Sequence, residues 1–160
     1  MHRDLKPEDI MVWREQNGNS HVKILDFGIA KTFLIDAHES ANLTTPGTVL
    51  GSIQYMSPEQ LSGLEVDQRA DIFAIGVMLF EVLTGSLPFR GESITEKLTS
   101  ILQDEVTLPY GCSRNKQLNE LLQKCLAKNP NSRFNSVADL RKEIVPILGT
   151  YVGASTLVNT

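Results

Sequence analysis

The chain has 160 residues, of which 41% are hydrophobic, and a formal net charge of −4 at pH 7. This size and composition predict one domain with a hydrophobic core. The acidic balance argues against a nucleic-acid partner or contact with an anionic membrane. The longest apolar run, 70–83, contains Asp71 and Glu81 and is too short to span a bilayer. Two cysteines without C-x-x-C spacing favour a reduced, cytoplasmic protein over a disulfide framework.

Two short apolar runs near the start of the chain, 10–13 and 22–25, are separated by a polar gap. The gap contains Asn17 and Gly18, a dipeptide typical of tight turns between strands. We therefore expect a β-hairpin that folds the chain back on itself.

The predicted hairpin would bring four charged side chains together at its open end: Asp4, Lys6, Asp9 and Asp26. Three carboxylates in a small volume repel one another unless cations neutralise them. Because divalent cations prefer oxygen ligands, the pattern predicts a metal and a phosphate-bearing ligand at this end.

These residues resemble two motifs of the eukaryotic-like serine/threonine protein kinases of bacterial type. Residues 2–9 match H-R-D-L-K-P-x-N except at the last position, and residues 26–28 match D-F-G in full. The resemblance implies that Asp4 accepts the proton of the substrate hydroxyl and that Lys6 stabilises the transferring phosphoryl group. It also implies that Lys6, Asp9 and Asp26 form the ATP site and that Asp9 and Asp26 hold Mg²⁺.

Asp9 departs from the family pattern, which has asparagine at this position. In the family that residue binds the second metal and donates a hydrogen bond within the loop. A carboxylate can still bind Mg²⁺ but has no N–H group to donate. The sequence leaves open whether Asp9 changes the metal affinity or damages the loop.

The resemblance covers the C-terminal lobe of such a kinase. The family's Gly-rich loop, strand lysine and helix glutamate precede H-R-D, and the sequence contains no G-x-G-x-x-G. We therefore expect a mainly α fold: a kinase-like large lobe with a small hairpin at the catalytic loop and without the small N-terminal lobe. Residues 1–148 would form this partial kinase domain and residues 149–160 a flexible tail.

Residues 29–50 lack helical periodicity and are rich in Thr, Ser and Ala, which is typical of a long functional loop. By resemblance this is the activation segment. Its phosphorylation candidates are Thr48, Thr44 and Thr45. Arg3 would pair with the phosphate and order the loop, although these threonines could also be ordinary loop composition.

The following stretch, 51–60, is similar to the segment that receives the substrate peptide in this family. Ser52 stands for the usual threonine and keeps the hydroxyl that would touch Asp4 and Lys6. Ser57, followed three residues later by Gln60, predicts the start of a helix.

Glu59 and Arg133 are candidates for a long-range ion pair. In the family the corresponding glutamate pairs with a buried arginine, and the residues around both positions match. The simpler alternative is two independent surface charges. A buried pair would be costly to break, because removing one partner leaves the other charge uncompensated.

The clearest helix is predicted over 67–84, which is apolar on nearly all sides and so resembles a buried central helix. The resemblance implies that Asp71 accepts hydrogen bonds from backbone N–H groups of the H-R-D loop; alternatively it complements the helix dipole. Apolar residues at helical spacing predict further helices over about 92–103, 118–126 and 137–148.

Two hypotheses remain. The first is a serine/threonine kinase whose intact form, meaning this chain together with the small lobe that the resemblance implies, transfers the ATP γ-phosphoryl group to a protein substrate with Mg²⁺. The second is a truncated remnant or interaction module without turnover. In either case, absence of the small lobe would expose the hairpin and favour association.

Overall fold

The computed structural model describes residues 1–25, 53–108 and 115–155, with side chains up to residue 149. Two strands come first, β1 (Ile10–Arg14) and β2 (Ser20–Ile24). Helices follow in the order α1 (Pro58–Leu61), α2 (Arg69–Thr84), α3 (Ile94–Gln103), α4 (Lys116–Cys125) and α5 (Val137–Ser155). Within these residues, the mainly α composition with a two-stranded antiparallel sheet agrees with the predicted mainly α fold and its small hairpin.

The hairpin predicted around Asn17 and Gly18 is confirmed. Strands β1 and β2 pair antiparallel, with Val12 opposite Val22. Gly18 has φ 88°, a left-handed conformation that glycine adopts at little cost, and its N–H donates to the carbonyl of Glu15 at 3.0 Å. The turn therefore fixes the register of the two strands.

Helix α2 is the central helix of the described fold. Ile72, Phe73 and Val77 are completely buried in it, and α4 and α5 both pack against it. It begins at Arg69 rather than at the predicted residue 67, with Gln68 as the N-cap. Just before the helix, the Asp67 carboxylate accepts the Arg69 N–H at 2.8 Å. It ends at Gly85, whose φ of 69° stops the helix.

The other predicted helices are present with shifted ends. Helix α3 starts at Ile94 rather than residue 92, because Ser93 accepts the N–H of Glu96 as the N-cap. In α4 the stripe Leu118, Leu121 and Leu122 is buried, as its spacing predicted. Helix α5 continues to Ser155, so the backbone of residues 149–155 is helical where a flexible tail was predicted. Among the described residues no helix has the length and apolar content needed to cross a membrane.

Gly76 lets α2 and α4 approach closely. A Cβ atom at this position would lie 2.8 Å from the Cβ of Cys125 and 3.1 Å from the side chain of Leu126. We expect Gly76→Ala to lower the free energy of unfolding by about 1–2 kcal/mol, because overpacking outweighs the gain in helix propensity. Thermal and urea unfolding measure this change. Gly149→Ala is the control, since a Cβ there meets nothing within 4 Å, and it should not lower stability; equal stability of the Gly76 variant and the parent chain would contradict the expected clash.

Both faces of the hairpin expose apolar side chains, and Val12 and Val22 are 64% and 65% exposed. Exposed apolar surface on a two-stranded ribbon favours association. We expect the chain to self-associate with rising concentration, and the double change Val12→Thr and Val22→Thr to weaken this. Light scattering after gel filtration provides the measurement. Val82→Thr, at a position on α2 that is 83% exposed, should not weaken the association, because it lies outside the hairpin. A monomeric parent chain at high concentration would count against the prediction.

Candidate functional site

The N-terminal loop (residues 2–9) is held on the central helix by one carboxylate. Asp71, in the first turn of α2, accepts the N–H of His2 through Oδ2 at 2.7 Å and the N–H of Arg3 through Oδ1 at 2.8 Å. Asp71 is 8% exposed and His2 6% exposed. Because both oxygens are used on adjacent amides, the loop has a defined position on the buried helix. The contact inferred from the resemblance is thus present.

The end of strand β2 contacts both ends of the same loop. The N–H of Leu25 donates to the carbonyl of Asp9 at 2.7 Å, and the His2 ring donates through Nε2 to the carbonyl of Leu25 at 3.2 Å. Leu25 directly precedes Asp26 in the chain. The hairpin thereby aligns the loop that carries Asp4 and Asp9 with the residue before the D-F-G motif.

Asp4 and Lys6 lie close together within the loop. Lys6 Nζ is 3.5 Å from Asp4 Oδ2, and the two side chains are 20% and 28% exposed, respectively. This separation is longer than that of a tight charge-assisted hydrogen bond, 2.7–2.9 Å being usual. Both groups are therefore partly accessible from solvent and near enough to act on one ligand.

Asp9 has a buried oxygen that could bind a cation. A 3₁₀ turn, Pro7–Asp9, directs the chain into β1, and the N–H of Asp9 donates to the carbonyl of Lys6 at 3.0 Å. The Oδ2 atom of Asp9 is buried and has no hydrogen-bond partner among the described residues. A buried carboxylate oxygen without a donor fits a metal ligand. Within those residues no group of three or more His, Cys, Asp or Glu forms a complete metal cluster.

Glu59 and Arg133 form a buried ion pair across 74 residues of sequence. Arg133 donates through Nη1 and Nη2 to the two oxygens of Glu59, at 2.7 and 2.8 Å, and its side chain is 0% exposed. It also donates to the carbonyls of Ala127, Lys128 and Arg69. Burial opposes ionisation of Glu59, but the hydrogen bonds and charge of Arg133 outweigh it, so the pKa of Glu59 lies below its ordinary value. The alternative of two separate surface charges is wrong.

Tyr55 connects the stretch before α1 to the central helix. Its hydroxyl donates to Glu81 Oε2 at 2.7 Å, and the residue is 9% exposed. Burial, together with this hydrogen bond to a carboxylate, raises the pKa of the Tyr55 hydroxyl. The 53–61 segment, which includes α1, is therefore held at Tyr55 and at Glu59.

Several predicted site residues lie outside the described residues. These are Asp26 with the rest of the D-F-G motif, the threonines of the loop 29–50 and the hydroxyl of the substrate stretch: Asp26, Thr44, Thr45, Thr48 and Ser52. Their assigned roles stay predictions. Of the others, Asp4 and Lys6 lie 3.5 Å apart, and the backbone N–H of Asp9 donates to the carbonyl of Lys6. The backbone N–H of Arg3 donates to Asp71.

One contact of this site was not predicted from the sequence. Gln60, noted as part of a helix start, also donates through Nε2 to the carbonyl of Arg3 at 2.6 Å. The spacing Ser57-x-x-Gln60 indicates the local bond to Ser57. It carries no signal for a partner 57 residues away.

Comparisons with known proteins agree on one family. The profile of the protein kinase domain matches residues 1–144. The chain is 38% identical over 148 residues to the serine/threonine-protein kinase pkn3 of Myxococcus xanthus, covering 90% of this chain and 27% of the relative. It is 34% identical over 149 residues to the serine/threonine-protein kinase PknB of Mycolicibacterium smegmatis. It is 35% identical over 149 residues to PknB of Mycobacterium tuberculosis. Each of these two matches covers 92% of this chain and 23% of the relative. The chain thus spans about a quarter of the length of these curated relatives.

Proposed function

Because this chain belongs to the protein kinase domain family, we propose that it carries the catalytic loop of a serine/threonine protein kinase. In the intact enzyme the γ-phosphoryl group of ATP is transferred to a serine or threonine hydroxyl of a protein substrate. The observation that supports this most directly is the pair of contacts made by Leu25, which join both ends of the N-terminal loop to the residue before Asp26. Phosphoryl transfer depends on such positioning more than on covalent chemistry.

Each of the candidate site residues has a separate role in the proposed reaction. Asp4 orients the substrate hydroxyl and accepts its proton. Lys6, 3.5 Å from Asp4, stabilises negative charge on the transferring group. The family resemblance assigns the hydroxyl of Ser52, which lies outside the described residues, to a role beside these two side chains. Arg3 pairs with a phosphate on the loop 29–50, with Thr48 the favoured acceptor and Thr44 and Thr45 the other candidates.

Asp9 and Asp26 are the residues that would hold Mg²⁺. The buried Oδ2 of Asp9, which has no donor among the described residues, fits this role. When bound, Mg²⁺ neutralises charge on the ATP phosphates. Because a carboxylate binds Mg²⁺ without an N–H donor, Asp9 in place of asparagine is compatible with metal binding.

The proposal is tested by transfer of radiolabelled phosphate from ATP to a generic protein substrate. The intact enzyme, with the small lobe fused before Met1 or supplied in trans, should transfer phosphate in the presence of Mg²⁺ and lose activity with EDTA. The 160-residue chain alone should transfer none, because its sequence lacks a Gly-rich loop to cover the phosphates. A fully assembled enzyme without transfer would favour the remnant or interaction module instead. A cytoplasmic location and the absence of a nucleic-acid partner stay predictions.

A further inference from the structure

The Gln60 side chain bridges two parts of the chain that are distant in sequence. Its Nε2 donates to the carbonyl of Arg3 at 2.6 Å. Its Oε1 accepts the N–H of Ser57 at 3.0 Å and the Ser57 hydroxyl at 3.1 Å. One amide group thus connects the 53–61 segment to the N-terminal loop.

The orientation of this amide follows from its partners. A backbone N–H can only donate, so the atom of Gln60 that faces the Ser57 N–H must be the oxygen. The nitrogen then faces the carbonyl of Arg3, which can only accept. Both halves of the amide are used, and a flipped side chain would place donor against donor and acceptor against acceptor.

Arg3 is held in an unusual backbone conformation by two residues. Its φ is 71°, in the left-handed region that non-glycine residues seldom adopt. Asp71 accepts its N–H at 2.8 Å, and Gln60 donates to its carbonyl at 2.6 Å. Arg3, Gln60 and Asp71 also line one small cavity of about 10 Å³. Because the N–H and the carbonyl of Arg3 are both hydrogen-bonded, the peptide group between Arg3 and Asp4 has a fixed orientation.

We infer that Gln60 is a positioning residue that couples the 53–61 segment to the placement of Asp4. This inference rests on the proposed function, because Asp4 is the group that orients the substrate hydroxyl there. The segment itself is held on α2 through Tyr55 and Glu81. A shift of the segment is therefore transmitted through Gln60 to the carbonyl of Arg3 and on to Asp4.

The substitution Gln60→Glu removes the hydrogen bond to Arg3 while keeping the one from Ser57. The carboxylate has nearly the same shape and still accepts from Ser57, but it places an oxygen against the carbonyl of Arg3. Gln60→Met is a second variant that removes the whole amide, the donor to Arg3 and the acceptor for Ser57 alike, without introducing charge. Amide hydrogen exchange of the 160-residue chain, followed by NMR, should show the Arg3 N–H exchanging at least about tenfold faster in both variants. The N–H of Val77, in the buried middle of α2, reports global unfolding and should keep its rate.

Gln68→Glu is the matched control. Gln68 Nε2 also donates to a backbone carbonyl, that of Asn135 at 2.8 Å, and neither partner belongs to the N-terminal loop. This variant should leave exchange at Arg3 unchanged. Equal exchange at Arg3 in the parent chain and in both Gln60 variants would overturn the inference, as would equal acceleration by Gln68→Glu.

Kinetics of the intact enzyme separate a positioning role from a purely structural one. Gln60→Glu should lower kcat about tenfold and leave the KM for ATP nearly unchanged, since the hydroxyl rather than the nucleotide is misplaced. Faster exchange at Arg3 with an unchanged kcat would overturn the positioning role. If the parent enzyme transfers no phosphate, the proposed function fails, and the exchange measurement alone still decides whether Gln60 holds the loop.

Discussion

Replacing Arg133 with methionine is expected to lower the free energy of unfolding by about 3–5 kcal/mol, because it leaves a buried carboxylate without its partner. Glu59 would lose both hydrogen bonds to the guanidinium, at 2.7 and 2.8 Å. Three backbone carbonyls, those of Ala127, Lys128 and Arg69, would lose a donor as well. Urea unfolding followed by circular dichroism measures the change.

An exposed ion pair provides the control for this prediction. Lys116 and Glu120 are 3.6 Å apart on α4, with side chains 87% and 60% exposed. Lys116→Met should leave the stability almost unchanged, because solvent screens such pairs. A loss below about 1 kcal/mol for Arg133→Met would show that the buried pair behaves like a surface pair and contradict the prediction.

The same pair makes stability depend on pH in a defined direction. The pKa of Glu59 is lowered in the folded protein from its ordinary value of 4.5. The unfolded chain therefore takes up the proton first, and the contribution of Glu59 to stability is complete above pH 4.5 and lost as the pH falls through the lower folded value. Arg133→Met should weaken this acid dependence.

Replacing Asp4, the proposed general base, with asparagine is expected to lower kcat of the proposed kinase by about 10²–10⁴-fold, the usual contribution of such a group. Asparagine has the same shape but cannot accept the proton of the substrate hydroxyl. The contacts that hold the loop, from His2 and Arg3 to Asp71, involve backbone atoms and remain available. Stability should therefore change little while phosphate transfer is lost, which initial rates with radiolabelled ATP can measure.

Asp104→Asn is the matched control for the Asp4 variant. Asp104 is an exposed carboxylate at the end of α3, outside the N-terminal loop, so its replacement should leave kcat unchanged. If Asp4→Asn retains the rate of the parent enzyme, Asp4 is not the base and the assignment of the loop has to be revised.

Local patterns in the sequence predicted the elements well, because they depend on neighbouring residues. The Asn17–Gly18 turn fixed the hairpin, and apolar spacing located the helices to within two residues at most of their starts. Their ends were less predictable. Helix α5 passes Leu148 and reaches Ser155, although Pro146 lies inside it and the apolar stripe ends.

Contacts between residues far apart in the sequence could be predicted only in part. Asp71 and the pair Glu59–Arg133 could be proposed because surrounding motifs resembled a known family, and the structure contains both contacts. The contact of Gln60 could not be proposed in this way, because its partner is a backbone carbonyl and any residue at position 3 would offer one. Burial of the Asp9 Oδ2 atom likewise depends on how the loop packs, which no local pattern encodes.

The hydrogen bond between His2 and Asp71 has a consequence for the order in which parts of the chain fold. The two residues are 69 positions apart, and Glu59 and Arg133 are 74 apart. Because closing such long stretches costs entropy before any contact repays it, we expect these two contacts to form late on the folding pathway. During synthesis residues 2–9 leave the ribosome before Asp71 does, so we expect their loop to reach its final position only after the central helix has been translated.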